Sequence, residues 1–170
     1  IEGAGSNFCS GLDLNEISER SFILISELFI KLAHFPCPTV AVIQGGVAAG
    51  GMGLIAAADF AHASRDSFFL LPELKKGVYP LLVGVLLQSV LSERHYKELC
   101  FTCNRMEAQR AFEIGLIQGL DLGAVPHLVG SLLELDLSAF NHYKKHLNQE
   151  KQIDSRLKEA LKLQLERYRK

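Results

Sequence analysis

Thr39-Val-Ala-Val-Ile-Gln-Gly-Gly-Val-Ala-Ala-Gly-Gly-Met-Gly-Leu-Ile-Ala-Ala-Ala-Asp59 reads as a strand, a glycine-rich loop and the start of a helix, in that order. Pro36 and Pro38 end whatever helix precedes it. The β-branched, almost wholly apolar run from Thr39 to Ile43 then has the length and composition of a strand covered on both faces. Gly45, Gly46, Gly50, Gly51 and Gly53 follow, ahead of small helix-forming residues. A Gly-Gly pair at a strand-to-helix turn lets a ligand approach the backbone and aims free amide groups, backed by the helix dipole, at it. That chemistry suits a phosphate or an oxyanion developing on a carbonyl. The nucleotide-loop reading fails, because no GxxxxGK[ST] lysine is present and the spacing GxxxGGxG departs from GxGxxG. Taken alone, the glycines are equally compatible with tight helix-to-strand packing.

Outward from this stretch, residues 1–15 (IEGAGSNFCSGLDLN) read as a strand exit followed by a glycine-rich turn. A helix is predicted from Glu16 to His34, with Ile17, Leu24, Leu28 and Leu32 as its apolar stripe. Short strands are expected at Asp59–Ala63 and Ser67–Leu70. Beyond Pro80 the chain reads as helical, at 81–91, 93–101, 108–114, 126–135, 137–147 and 150–169. A chain of 170 residues can bury one sizeable core. A formal charge of −1 offers no global field for nucleic acid or a membrane surface. The four cysteines lack zinc-finger spacing; Cys100-Phe-Thr-Cys103 stands alone, so free thiols and a reducing cytoplasm are expected, with no metal. No run of about 18 apolar residues suggests a membrane span, and the opening does not look like a signal peptide. The missing initiating Met points to a start further upstream.

A second turn gives the glycines their meaning. Phe8-Cys-Ser-Gly-Leu-Asp-Leu14 precedes Ala49-Gly-Gly-Met-Gly-Leu54 by about forty residues, and Asp59, Leu71-Pro-Glu73, Gly77 and Pro80 follow in order. Together with Pro38, Val40-Ala-Val-Ile43, Gly45, Phe69 and Arg105-Met-Glu-Ala-Gln-Arg-Ala-Phe-Glu-Ile-Gly-Leu116, these resemble the crotonase (enoyl-CoA hydratase/isomerase) superfamily. The resemblance runs over residues 5 to 120. It implies an α/β fold, the crotonase-type ββα spiral, with its N-terminal strands missing from this chain. The partial spiral core would occupy 1–120, and a C-terminal helical region over 121–170 would serve oligomerisation, as a homotrimer or dimer of trimers. The stripe Ile153, Leu157, Leu161, Leu165 and Tyr168 suits that role; packing within the chain is the alternative.

The resemblance places the two oxyanion-hole amides at Leu12 and Gly50, gripping a thioester oxygen while an enolate forms. Ordinary hydratases of the family use two glutamates. This chain has Gly53 at the first position and keeps the second as Glu73, the expected catalytic carboxylate. Asp13 follows the first donor directly and either reaches the thioester pocket as a second catalytic group or bonds turn amides. Gly51, Met52 and Leu71 are expected to contact substrate, although apolar residues there also suit plain core. Lys75 and Lys76 either face a carrier phosphate or form a solvated pair. Glycine for the first glutamate with the second retained looks most like the polyketide β-branching dehydratases that act on 3-hydroxy-3-methylglutaryl carrier protein. The implied cofactor requirement is none beyond the thioester carrier, CoA or phosphopantetheine; the implied partner is an acyl carrier protein or acyl-CoA. An ordinary hydratase, isomerase or decarboxylase, or a non-catalytic acyl-thioester-binding protein, remain alternatives.

Overall fold

The computed structural model describes residues 1–13, 15 and 17–169; Leu14, Glu16 and Lys170 lie outside the described residues, and with them the last residue of the first motif and the first residue of the helix predicted from Glu16. Helix α1 spans Glu19–Ala33, with the Ser18 hydroxyl accepting from the Ser21 amide at 3.2 Å as its cap. Its core-facing side is Phe22, Ser26, Phe29, Leu32 and Ala33, whereas Leu24 and Leu28 are exposed. The predicted stripe is therefore rotated. α1 carries two apolar rows at helical spacing, and the row with two phenylalanines is the one that finds a complementary notch, at Gly53.

β1 (Val40–Ile43) and β2 (Gly46–Ala48) follow one another but belong to different sheets. α2 (Gly50–Ala57) then turns the chain back, so that β3 (Phe60–Ala63) lies parallel to β1 and β4 (Phe68–Leu70) parallel to β2. One strand goes into each sheet per turn and a helix returns the chain, which is the ββα spiral expected from the resemblance. Residues near the start add an isolated bridge to each layer, Glu2 to Val42 and Cys9 to Val47. β2 is absent from the sequence prediction because its three residues sit inside the glycine crowd and gain a strand's pairing only from β4.

Asp59 ties the turn together. Its Oδ2 accepts from the Thr39 amide and hydroxyl, each at 2.8 Å, and from Lys144 Nζ at 2.7 Å, while Thr39 Oγ1 accepts from the Asp59 amide at 3.0 Å. One carboxylate thus joins the head of β1, the tail of α2 and the later helix that carries Lys144.

After β4 comes a 3₁₀ turn over Glu73–Lys76, closed by Gly77 at φ 69°. Helices α3 (Leu81–Val90) and α4 (Glu93–Thr102) follow, then β5 (Met106–Glu107), antiparallel to β4, and α5 (Ala108–Glu113). The C-terminal region comprises α6 (Val125–Leu133), α7 (Leu137–Glu150) and α8 (Ile153–Tyr168). α8 lies against α1 and α3, and its Ile153, Leu157 and Ala160 are buried in the same core as Phe29, Met52 and Leu87. Much of the stripe expected to face another subunit is spent inside the chain. Apolar surface also remains outside on α6, which buries no residue and leaves Leu133 81% exposed. No helix among the described residues is long and apolar enough to cross a membrane.

Candidate active site

α2 opens at Ala49, whose φ of 51° and ψ of −121° belong to a region that favours glycine. The turn holding Gly11 (φ 92°) presses against it: a Cβ placed on Gly11 would lie 2.8 Å from Ala49 Cβ and 3.9 Å from the Gly50 nitrogen. Two backbone turns forty residues apart in sequence are thereby brought side by side. Gly50 heads the helix, so its N–H has no intrahelical acceptor. Among the described residues neither that N–H nor the Leu12 N–H is hydrogen-bonded.

Leu12 and Gly50 both line a cavity of about 120 Å³, and Glu73 lines it too. Glu73 begins the 3₁₀ turn, is half-buried, and leaves its Oε2 buried without a hydrogen-bond partner. Burial raises its pKa above the ordinary carboxylate range; a hydrogen bond from its own amide and the nearby Lys76 charge pull the other way. The phenol of Tyr96 and the thiol of Cys100 both feel Glu73's charge. Burial first, then Cys100, pushes Tyr96 up to about 12, so its hydroxyl stays neutral beside the carboxyl group. A proton acceptor that is partly desolvated and only partly compensated is suited to exchanging protons with a bound ligand.

The position that carries a glutamate in ordinary hydratases is filled by a neighbour. A Cβ on Gly53 would sit 2.3 Å from Phe29 Cζ, and Phe29 is 1% exposed. Gly50 differs: its nearest obstacle is Ile25 Cδ1 at 3.5 Å, ordinary contact distance.

The other expected site residues fall elsewhere. Asp13 is exposed and does not line the cavity; its Oδ1 accepts from the Asn15 amide at 2.9 Å and from Asn15 Nδ2 at 3.0 Å, the turn-bonding alternative. Gly51 is held against Cys9, where a Cβ would meet Cys9 Cβ at 2.8 Å, while Met52 and Leu71 are fully buried in the core. None of these three lines the cavity, because each faces the sheet layers behind the glycine turn. Lys75 donates to the Cys103 carbonyl at 3.2 Å, whereas Lys76 lines the cavity. The four cysteines are free, Cys9 and Cys37 half-buried and Cys100 and Cys103 buried. Among the described residues no group of three or more His, Cys, Asp or Glu could hold a metal ion.

The C-terminal helix also reaches the cavity, a placement that no motif foreshadows. Gln164 of α8 lines the cavity at 5% exposure. The end of that helix is strapped to the opposite wall. Tyr168 donates to the Ile17 carbonyl at 2.8 Å and meets the Phe22 ring edge-on at 5.5 Å, Arg169 forks onto Glu19 at 2.7 and 2.8 Å, and Arg167 stacks 5.2 Å from the Tyr79 ring. Ile17, Phe22 and Tyr79 are themselves cavity walls.

Comparison with known proteins agrees with this architecture. Residues 1–170 match the family model described as enoyl-CoA hydratase/isomerase. The chain is 29% identical over 160 residues to the bacillaene synthase dehydratase PksH of Bacillus subtilis, an alignment covering 87% of this chain and 62% of PksH. It is also 29% identical to the peroxisomal Delta(3,5)-Delta(2,4)-dienoyl-CoA isomerase of Arabidopsis thaliana, over 80% of this chain and 53% of that protein. The crystal structure of PksH superposes with a TM-score of 0.84 at 28% identity, covering 96% of this chain and 70% of that one. The chain thus spans less than two thirds of the length of either of these two relatives.

Proposed function

The chain belongs to the enoyl-CoA hydratase/isomerase family, and from that premise we propose that it dehydrates a β-hydroxyacyl thioester with one carboxylate, Glu73, and a backbone clamp made by the Leu12 and Gly50 amides. The observation that carries this reading is the contrast at the two glutamate positions: Phe29 occupies the space at Gly53, while Glu73 lines the cavity that both amides share. Glu73 takes the C2 proton, the electron pair moves onto the thioester oxygen held by the two N–H groups, and the enolate collapses as the C3–O bond breaks. Glu73 returns its proton to the departing hydroxyl, which leaves as water. One group on one face suffices for such a syn elimination. Each clamp amide is expected to be worth about 10²–10³ in rate.

The favoured substrate is 3-hydroxy-3-methylglutaryl on a carrier protein, giving the 3-methylglutaconyl thioester in polyketide biosynthesis. The likeness to a bacillaene synthase dehydratase supports it. The carrier arm is phosphopantetheine, on a carrier protein or in CoA; no other cofactor enters. A reducing cytoplasm fits the free thiols, and the exposed apolar row of α6 suits a homotrimer or a dimer of trimers. The likeness to a dienoyl-CoA isomerase favours a second reading, proton transfer by Glu73 without loss of water.

Mass-spectrometric turnover tests these readings, with 3-hydroxy-3-methylglutaryl carrier protein and crotonyl-CoA offered to the full chain and to Glu73→Gln. Loss of water from the branched substrate alone, abolished by the substitution, is the expected result. Hydration of crotonyl-CoA would indicate an ordinary hydratase, and silence on both a binding role.

A further inference from the structure

We propose that Gln164 and Lys76 together form a carboxylate-recognising end of the cavity, so that the acyl group this chain accepts is anionic at the end away from its thioester; this rests on the thioester reading of the same cavity. Gln164 is 95% withdrawn from solvent on α8, yet among the described residues its amide makes no hydrogen bond. Among the described residues the fully enclosed polar atoms without a partner are His62 Nδ1 and Glu73 Oε2; the Gln164 amide keeps some access while the rest of the residue is covered, and in the cavity it lines the natural partner is a ligand. The lining is mostly apolar, including Ile17, Phe22, Ile25 and Leu81, with Ser10, Glu73, Lys76 and Tyr79 as its other polar side chains.

Lys76 adds the second observation. It lines the same cavity from the 3₁₀ turn, and its ammonium group makes no hydrogen bond or ion pair among the described residues. An ammonium offers donors only, and an amide nitrogen offers two more; an acceptor-only group such as a carboxylate satisfies both. A neutral alkyl chain satisfies neither and would leave the amide buried and unpaired.

Binding of unreactive thioesters tests the inference separately from turnover. Glutaryl-pantetheine has the distal carboxylate but no C3 hydroxyl to lose, and valeryl-pantetheine replaces the carboxylate with methyl. Both lack the carrier phosphate, so any preference reports the acyl end and not the phosphate of the arm. Calorimetric titration of the full chain is expected to favour glutaryl by roughly 10- to 100-fold. Lys76→Met and Gln164→Glu should each remove most of that preference while leaving valeryl affinity unchanged. Gln164→Glu preserves the shape of the side chain, and Lys76 lies at the surface, so a folded variant is available even if Gln164→Leu unfolds. Equal binding of the two probes, binding of neither, or a preference that survives both substitutions overturns the inference. Selective glutaryl binding without dehydration of the branched substrate would sink the dehydratase reading and leave carboxylate recognition standing.

Discussion

Gly50 and Gly53 lie one turn apart on the same short helix and do opposite things. At Gly50 the missing side chain leaves open space, with Ile25 Cδ1 at 3.5 Å, beside an N–H that has no acceptor among the described residues; at Gly53 it leaves room for Phe29, which fills it. The first is an opening and the second a packing notch, although in sequence both are simply glycines of one cluster. The lesson extends to the carboxylates. Loss of the first glutamate is built into the α1–α2 contact, so one further substitution does not restore it. The remaining carboxylate, Glu73, keeps an unsatisfied oxygen and a raised pKa.

The largest expected effect is at Glu73. Glu73→Gln keeps the shape and removes the proton acceptor, and kcat is expected to fall by about 10²–10⁴ on any substrate the chain turns over; an unchanged rate would remove the carboxylate from the chemistry. Gly53→Ala comes next, and its effect is on stability. A Cβ 2.3 Å from a buried ring forces repacking, expected to cost about 1–3 kcal/mol and lower the melting temperature by roughly 2–10 °C. In a Phe29→Ala background the same substitution should cost much less, and additive effects would show that the ring does not fill the notch.

The pH dependence is subtler. Burial makes folded Glu73 hold its proton to higher pH than the unfolded chain does, so its contribution to stability is complete below the ordinary carboxylate pKa and is lost as pH rises through the folded value. Denaturation of wild type and Glu73→Gln across that range should show this slope in the first only, and kcat/KM should have its acid limb above the usual carboxylate range. Gly50→Ala is expected to have the smallest effect on the fold, within about 1 kcal/mol, since only Ile25 Cδ1 approaches. It should nonetheless weaken thioester binding by narrowing the cavity, measurable as a raised KM. A loss of stability matching that of Gly53→Ala would erase the distinction.

The spiral was legible because its signals are local and ordered: prolines before β1, glycines at the turn, Asp59 at the end of α2. The motifs also pointed to Leu12, Gly50 and Glu73, which the fold brings to the lining of one cavity, because positions on turns are set by order along the chain. What depended on tertiary choice was not legible. The burial of α1 follows Phe22 and Phe29 and not Leu24 and Leu28, since only one row meets Gly53. Met52 and Leu71 are apolar whether they touch substrate or core, and the packing sends them to the core. Gln164 carried no signal at all; among the lysines, glutamates and leucines of α8 it looks like another solvated position, and only the docking of that helix on α1 and α3 puts it in the cavity.

The bond from Tyr168 to Ile17 joins residues 151 positions apart. During synthesis, at about 5–20 residues per second, the front wall of the cavity therefore emerges on the order of ten seconds or more before the helix that covers it. Through that interval Phe22 and its neighbours have no permanent partner, and the nascent chain presents a greasy groove to whatever else is in the cell. Yield at high temperature, and dependence on chaperones that shield such grooves, should accordingly track how fast α8 is delivered more closely than how stable the finished protein is.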